Sequence, residues 1–222
     1  MVVTTKLSLR LGAILLTCAL AGCSSKVAET NQYSGFLQNY SDLKPAKTPS
    51  GHEVLRWISP DFRVSNYQSV YFAPVVYYPA ATPDSRVSAQ TLEQIRSYTE
   101  QRLKTAVGSR LQLVPQPQPG GLIFKTAITA VSAENKDVRF YEVLPVTAVV
   151  AGTMALTGKR SQNALLFIEA EAIDVSTNKQ VLKVVRKGYG RSVSNSTTQI
   201  TEADVKSAID EMVADVGAFP AN

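Results

Sequence analysis

Beyond residue 23 this 222-residue chain has no cysteine; its two, Cys18 and Cys23, both lie near the start. A body without thiols forms no disulfide and no cysteine-based metal site, so its stability has to come from ordinary packing. Histidine is just as scarce. His52 stands alone in a loop with Pro49 and Gly51, and Glu53 is its only acidic neighbour in sequence. A hydrolytic triad or a zinc site needs partners that this spacing does not supply. Long apolar runs are missing too. The first, residues 11–20, is too short to cross a bilayer, which takes about 20 residues. No Gly-rich phosphate loop follows a strand, because Gly152 and Gly158 lack the required spacing. The formal charge is only +5, and no basic-aromatic array accompanies it, which argues against nucleic acid as a partner. These absences predict a chain with no catalytic residues, no metal and no cofactor, and the chain is read as a non-enzyme.

What is present begins with a three-part leader. Residues 1–10 carry Lys6 and Arg10 and no acid, residues 11–20 are apolar, and Ala21 and Gly22 are the small residues a signal peptidase needs. Leu20-Ala21-Gly22-Cys23 resembles the lipobox of bacterial lipoproteins, in which cleavage precedes a cysteine that becomes lipid-modified. The resemblance implies a signal peptide over residues 1–22, lipidation at Cys23, and a lipidated tether over residues 23–32. Each buried methylene contributes about 0.8 kcal/mol, and stable anchoring takes more than one chain. Ser24 follows the cysteine; by the rule of enteric-type lipoproteins, the lack of an aspartate there implies the outer membrane, with the body facing the periplasm. Cleavage would remove Lys6 and Arg10 and lower the formal charge from +5 to +3 over 200 remaining residues, a length that suits one domain.

Residues 24–32 are small and polar and read as a flexible tether. Residues 33–43 bring five large apolar or aromatic groups, Tyr33, Phe36, Leu37, Tyr40 and Leu43, and are expected either to pack as an arm on the domain or to dock a partner. Residues 44–51 read as a loop around Pro45 and Pro49. Short strands are expected at residues 53–58 and 67–78, with Pro74 marking an edge, a bulge or a strand end. Ser88 caps a helix over residues 88–107, with Leu92, Ile95, Thr99, Leu103 and Ala106 on one side and Gly108 as its stop. Further strands are expected at 111–114 and 122–131, the latter with Leu122, Phe124, Thr126, Ile128 and Ala130 on one face. The link at 115–121, with Pro115, Pro117 and Pro119, reads as structural.

Residues 143–158 carry no charge and are interrupted by Pro145 and Gly152. Three readings stand: burial under the sheet, a self-association surface, or a dip into the bilayer. Residues 164–175 and 180–189 form the clearest hairpin, turning at Thr177-Asn178. The expected register sets Glu169 opposite Arg186 and Ile173 opposite Leu182. Glu169 and Glu171 share a face and read as surface charges, while Asp174 points the other way. Residues 188–198 read as a Gly/Ser-rich loop. A last helix over 201–216 starts at Thr201, with Asp204 completing a capping box, and carries the stripe Val205, Ala208, Ile209, Met212, Val213 and Val216.

Several short motifs recur in an order that is itself specific. They run Tyr33-Ser34-Gly35-Phe36-Leu37, Tyr40-Ser41-Asp42-Leu43, Arg56-Trp57-Ile58 and Tyr67-Gln68-Ser69-Val70-Tyr71-Phe72-Ala73-Pro74-Val75. Then follow Leu113-Val114-Pro115-Gln116-Pro117, Ala127-Ile128-Thr129, Leu144-Pro145-Val146 and Glu169-Ala170-Glu171-Ala172-Ile173-Asp174. Together they resemble a family of Gram-negative lipoproteins known as a domain of unknown function. The resemblance spans most of residues 23–222 and implies an envelope location and no particular chemistry. Thr177-Asn178 stands where many relatives have Thr-Gly, which leaves the geometry of that turn open.

The expected fold is α+β, a two-layer sandwich of a largely antiparallel sheet with two helices on one face, forming a single domain with an N-terminal arm over residues 33–222. The expected function is that of a lipid-anchored envelope protein that binds envelope partners or associates with itself. The alternative is a carrier or sensor that holds a small apolar ligand against the sheet; a deep apolar cavity would favour it.

Overall fold

The alternating apolar residues of the expected strands and the three-four spacing of the two helical stripes meet in one sheet and one helical layer. A computed structural model describes residues 27–133, 162–194 and 197–220. The lipobox, Cys23 and the uncharged segment 143–158 lie outside the described residues, as does the Leu144 motif.

Eight strands form a mixed sheet in the order β1-β2-β8-β7-β6-β3-β5, with β4 also on β6. They are β1 (Lys44–Lys47), β2 (Glu53–Ile58), β3 (Ser69–Phe72), β4 (Val76–Tyr77), β5 (Gln112–Val114), β6 (Gly121–Ala133), β7 (Gln162–Asp174) and β8 (Lys179–Val193). The sheet is antiparallel from β1 through β6, and parallel where β3 meets β5 and β6 and where β4 meets β6. Pro74 ends β3 and divides it from β4, so the two lie one after the other along β6. Residues 44–47, expected as loop, form an edge strand instead; Pro45 is tolerated because an edge strand leaves one side of its backbone unpaired.

Two helices cover one face. In α1 (Ala89–Gly108) the Ser88 hydroxyl accepts from the Thr91 N–H at 3.1 Å, and Leu92, Ile95, Thr99, Leu103 and Val107 are buried. In α2 (Glu202–Gly217) the Asp204 carboxylate accepts from the Thr201 N–H at 2.8 Å, which starts the helix as the capping box predicts. Its buried side includes Val205, Ile209 and Met212, packed with Ile128, Leu166 and Ile168 of the sheet.

The opposite face carries the N-terminal segment. Ala28, Leu37, Tyr33, Phe36, Tyr40 and Leu43 pack on Leu55, Ala130, Leu165, Phe167 and Val185. Tyr33 and Tyr40 stack with ring centres 4.4 Å apart. Glu169, fully buried, accepts from the N–H of Ser34 at 2.9 Å, the N–H of Leu37 at 3.4 Å and the Tyr40 hydroxyl at 2.6 Å. Burial, and then that hydrogen bond, push the Tyr40 hydroxyl well above its usual pKa. Lys183, 2% exposed, donates to the Asn39 carbonyl at 2.9 Å, pairs with Asp42 and lies over the Trp57 ring. Glu171, also buried, meets Lys125 at 3.4 Å and accepts from Gln180. The expectation of surface carboxylates at 169 and 171 is therefore corrected: this face is a buried polar clasp for the arm.

The hairpin register is corrected as well. Glu169 lies opposite Val185, Ile168 opposite Arg186, Ala172 opposite Leu182 and Ile173 opposite Gln180. A bulge between Ala172 and Ile173 leaves Val181 as an extra residue, and the closing pair is Asp174 with Lys179. A one-residue slip turns every side chain to the other face, so Glu169 reaches the arm while Arg186 reaches the helices. Asn178 takes the left-handed conformation at φ 54°, which asparagine tolerates and which closes the turn. A second bulge between Ile128 and Ala130 moves Ala130 to the arm face, away from Leu122 and Ile128. Finally, β8 continues to Val193 through the stretch expected as loop.

Candidate functional site

Between the helices and the sheet lies a cavity of about 170 Å³. Register explains its floor. Thr126 of β6 faces Ala170 of β7, which faces Val184 of β8; one step along, Ile168 faces Arg186. The central strand contributes alanine at both 170 and 172, so its surface stops short of the helices. Leu103 and Val107 from α1 and Met212 and Val216 from α2 form the roof. Phe62 and Phe219 close one side, and the β1–β2 turn contributes Thr48 and Pro49. The lining is almost wholly apolar, as ligand cavities usually are, with a few polar groups placed among the hydrocarbon.

Three of the six polar residues that line the cavity are arginines, Arg56, Arg110 and Arg186. Arg186, 6% exposed, donates from Nη1 to the Asp215 carboxylate of α2. The same carboxylate accepts from the Ser50 N–H at 3.2 Å and from the Ser50 hydroxyl. Burial raises the Asp215 pKa; the hydrogen bonds from Ser50 and Arg186 outweigh it and hold the carboxyl below its ordinary value. Arg56 lies over the Phe219 ring at 5.7 Å, and Arg110 donates to the Gly217 carbonyl at 2.6 Å. Both guanidinium residues border the cavity. Two of the lining residues, Thr126 and Arg186, carry a buried polar atom (Oγ1 and Nε) with no hydrogen-bond partner among the described residues.

His52, read from sequence as lacking partners, gains them in space. Its Nδ1 lies 2.8 Å from Ser50 Oγ and its Nε2 lies 3.3 Å from Glu211 on α2. The contacts tie the β1–β2 turn to the last turns of α2, over the polar end of the cavity. Ser50 and Asp215 are 165 positions apart, and no local spacing marks them as a pair. The one trace in sequence is Asp215 itself, an acid buried beside the apolar stripe of α2. Among the described residues, no group of three or more His, Cys, Asp or Glu is placed to hold a metal ion.

The family described as "Protein of unknown function (DUF3313)" matches residues 32–216, which takes in the arm, the sheet and α2. The chain belongs to this family. It is similar to the uncharacterized lipoprotein YdcL of Escherichia coli strain K12, at 42% identity over 213 residues and 96% of each chain. The protein of that name from Escherichia coli O157:H7 matches to the same extent. The chain is thus a lipoprotein of unknown function by homology, a membrane-anchored envelope protein, and none of its described helices is long and apolar enough to cross a membrane. Among solved structures it is similar to the PelC dodecamer from Paraburkholderia phytofirmans, at 12% identity over 74% of this chain and 96% of that one, with a TM-score of 0.35. It is also similar to the hypothetical protein CT253 from Chlamydia trachomatis, at 13% identity over 69% of this chain and 97% of that one, with a TM-score of 0.41.

Proposed function

We propose that this family member is a non-catalytic carrier or sensor: lipidated at Cys23, held at the outer membrane with its body in the periplasm, and taking a small apolar ligand between sheet and helices. The cavity carries this reading. A hydrocarbon-lined space of about 170 Å³ is a few water volumes larger than the packing voids of ordinary cores, and an apolar cavity of about 150 Å³ takes up benzene. The placement rests on the lipobox, on Ser24 after the cysteine, and on homology to a lipoprotein. Ala28 is buried under the arm, five residues from Cys23, so the body would stand within about 18 Å of the anchor.

Benzene as a probe tests the cavity. It should raise the unfolding temperature of the lipoprotein and have little effect on Ala170→Leu, whose larger side chain fills the floor. Equal stabilisation of both proteins, or of neither, would count against a ligand site. Binding of an envelope partner, or self-association, is the second reading; it draws on the uncharged composition of residues 143–158.

A further inference from the structure

We propose that the ligand is a single-chain monocarboxylate of medium length, its carboxylate held by Arg186 Nε and the Thr126 hydroxyl. This rests on the reading of the cavity as a ligand site. Thr126 is 1% exposed and Arg186 6% exposed, both residues border the same apolar space, and Thr126 Oγ1 and Arg186 Nε have no hydrogen-bond partner among the described residues. Leaving such groups dry is costly, and native proteins rarely do so without a water or a ligand to meet them. The register puts them on one face, with Thr126 two strands from Val184 and Arg186 two residues beyond it.

The chemistry of the two atoms selects the head group. An Nε–H only donates, so an ammonium is rejected and an oxygen acceptor is required. Two donors match the two oxygens of a carboxylate; a phosphate brings a third oxygen and a second charge into hydrocarbon that offers nothing for them. Charge agrees. Arg56, Arg110 and Arg186 border the cavity against the single carboxylate of Asp215, which already engages Arg186 through another nitrogen. A cavity with three cations to one anion favours an anionic ligand. Size limits the chain: at about 170 Å³, against about 150 Å³ for a benzene site, there is room for roughly six to eight carbons. Octanoate is therefore the probe.

The test uses the lipidated full chain in phosphatidylcholine vesicles, with thermal unfolding followed through Trp57, the only tryptophan. Octanoate should raise the midpoint, octylammonium should not, and Ala170→Leu should be insensitive to octanoate. Thr126→Val and Arg186→Lys should each weaken octanoate binding by about tenfold. Without octanoate, Thr126→Val should unfold no earlier than the parent protein, because it removes a hydroxyl that has no partner; a purely structural threonine would leave a less stable variant. Should benzene stabilise the protein while octanoate does no better, with the Thr126 and Arg186 variants responding like the parent, the head-group assignment falls and the apolar site stands. Failure of both probes overturns both.

Discussion

Asp215 is the residue on which the polar end of the cavity depends. One oxygen receives Ser50 and the other receives Arg186, so a helix, a turn and the centre of the sheet meet at a single carboxylate. Its folded-state pKa is depressed, so the stability it contributes is fully present above the unfolded value of about 3.9 and is lost as pH falls through the folded value. Asp215→Asn should therefore be less stable at neutral pH, by about 3 kcal/mol, because Arg186 is left buried without its counter-charge. The variant's stability should also decline less on acidification below about pH 4 than the parent's does. Urea titrations across that range read both effects. Glu169 plays the matching part on the other face. It is an acceptor for two backbone N–H groups and a phenol, and an amide there retains one acceptor oxygen and adds an NH₂ with nothing to receive it. Glu169→Gln should cost about 2–3 kcal/mol and expose the arm around Tyr40 to protease well before global unfolding. The acids at 169 and 171 are legible in the sequence as a pair on one face, but their burial is not: Glu169 is held by an arm more than a hundred residues away, and Glu171 meets Lys125 of the neighbouring strand.

At the scale of elements, β8 is the strand whose glycines decide how closely a helix can approach. A Cβ at Gly190 would lie 1.9 Å from the Asp204 carbonyl oxygen, and one at Gly188 would lie 2.4 Å from the end of the Met212 side chain. The first obstacle is helix backbone; the second is a thioether tip that can swing aside, with the Ala208 Cβ next at 3.0 Å. Gly190→Ala should accordingly destabilise the protein by about 3 kcal/mol or push α2 off the sheet, whereas Gly188→Ala should cost less, as thermal unfolding of the two variants would show. Those same glycines made residues 188–198 look like a loop: the sequence shows that no side chain is wanted, but not that a helix lies against the backbone. Helix limits were legible because caps are local. Ser88, and Thr201 with Asp204, act within four residues of where they stand, whereas Gly108, expected as the stop, is the last residue inside α1 and Ser109 is its C-cap. The hairpin was legible as a hairpin, while its register was not. Bulges at Val181 and Thr129 shift the pairing, and nothing in the alternation of apolar residues announces an extra residue.

For the whole molecule, one sheet separates two different tasks. The face toward the N-terminus holds the arm through buried charges; the other holds the cavity under α1 and α2. If the anchor is the lipid on Cys23, Cys23→Ser protein should leave the sedimenting membrane fraction and appear in the soluble fraction with its fold intact. Cell fractionation with circular dichroism of the released protein checks both halves. Sequence alone was enough for the class of fold and the helix boundaries, because each of these is written in neighbouring residues: a period, a cap. Tertiary structure alone decided that Ser50 and His52 meet Asp215 and Glu211, that Glu169 and Arg186 part to opposite faces, and that two alanines in the central strand leave room above the sheet. Those outcomes depend on strand register and on contacts between distant segments, and a chain of residues does not specify which of its distant parts will touch until packing closes around them.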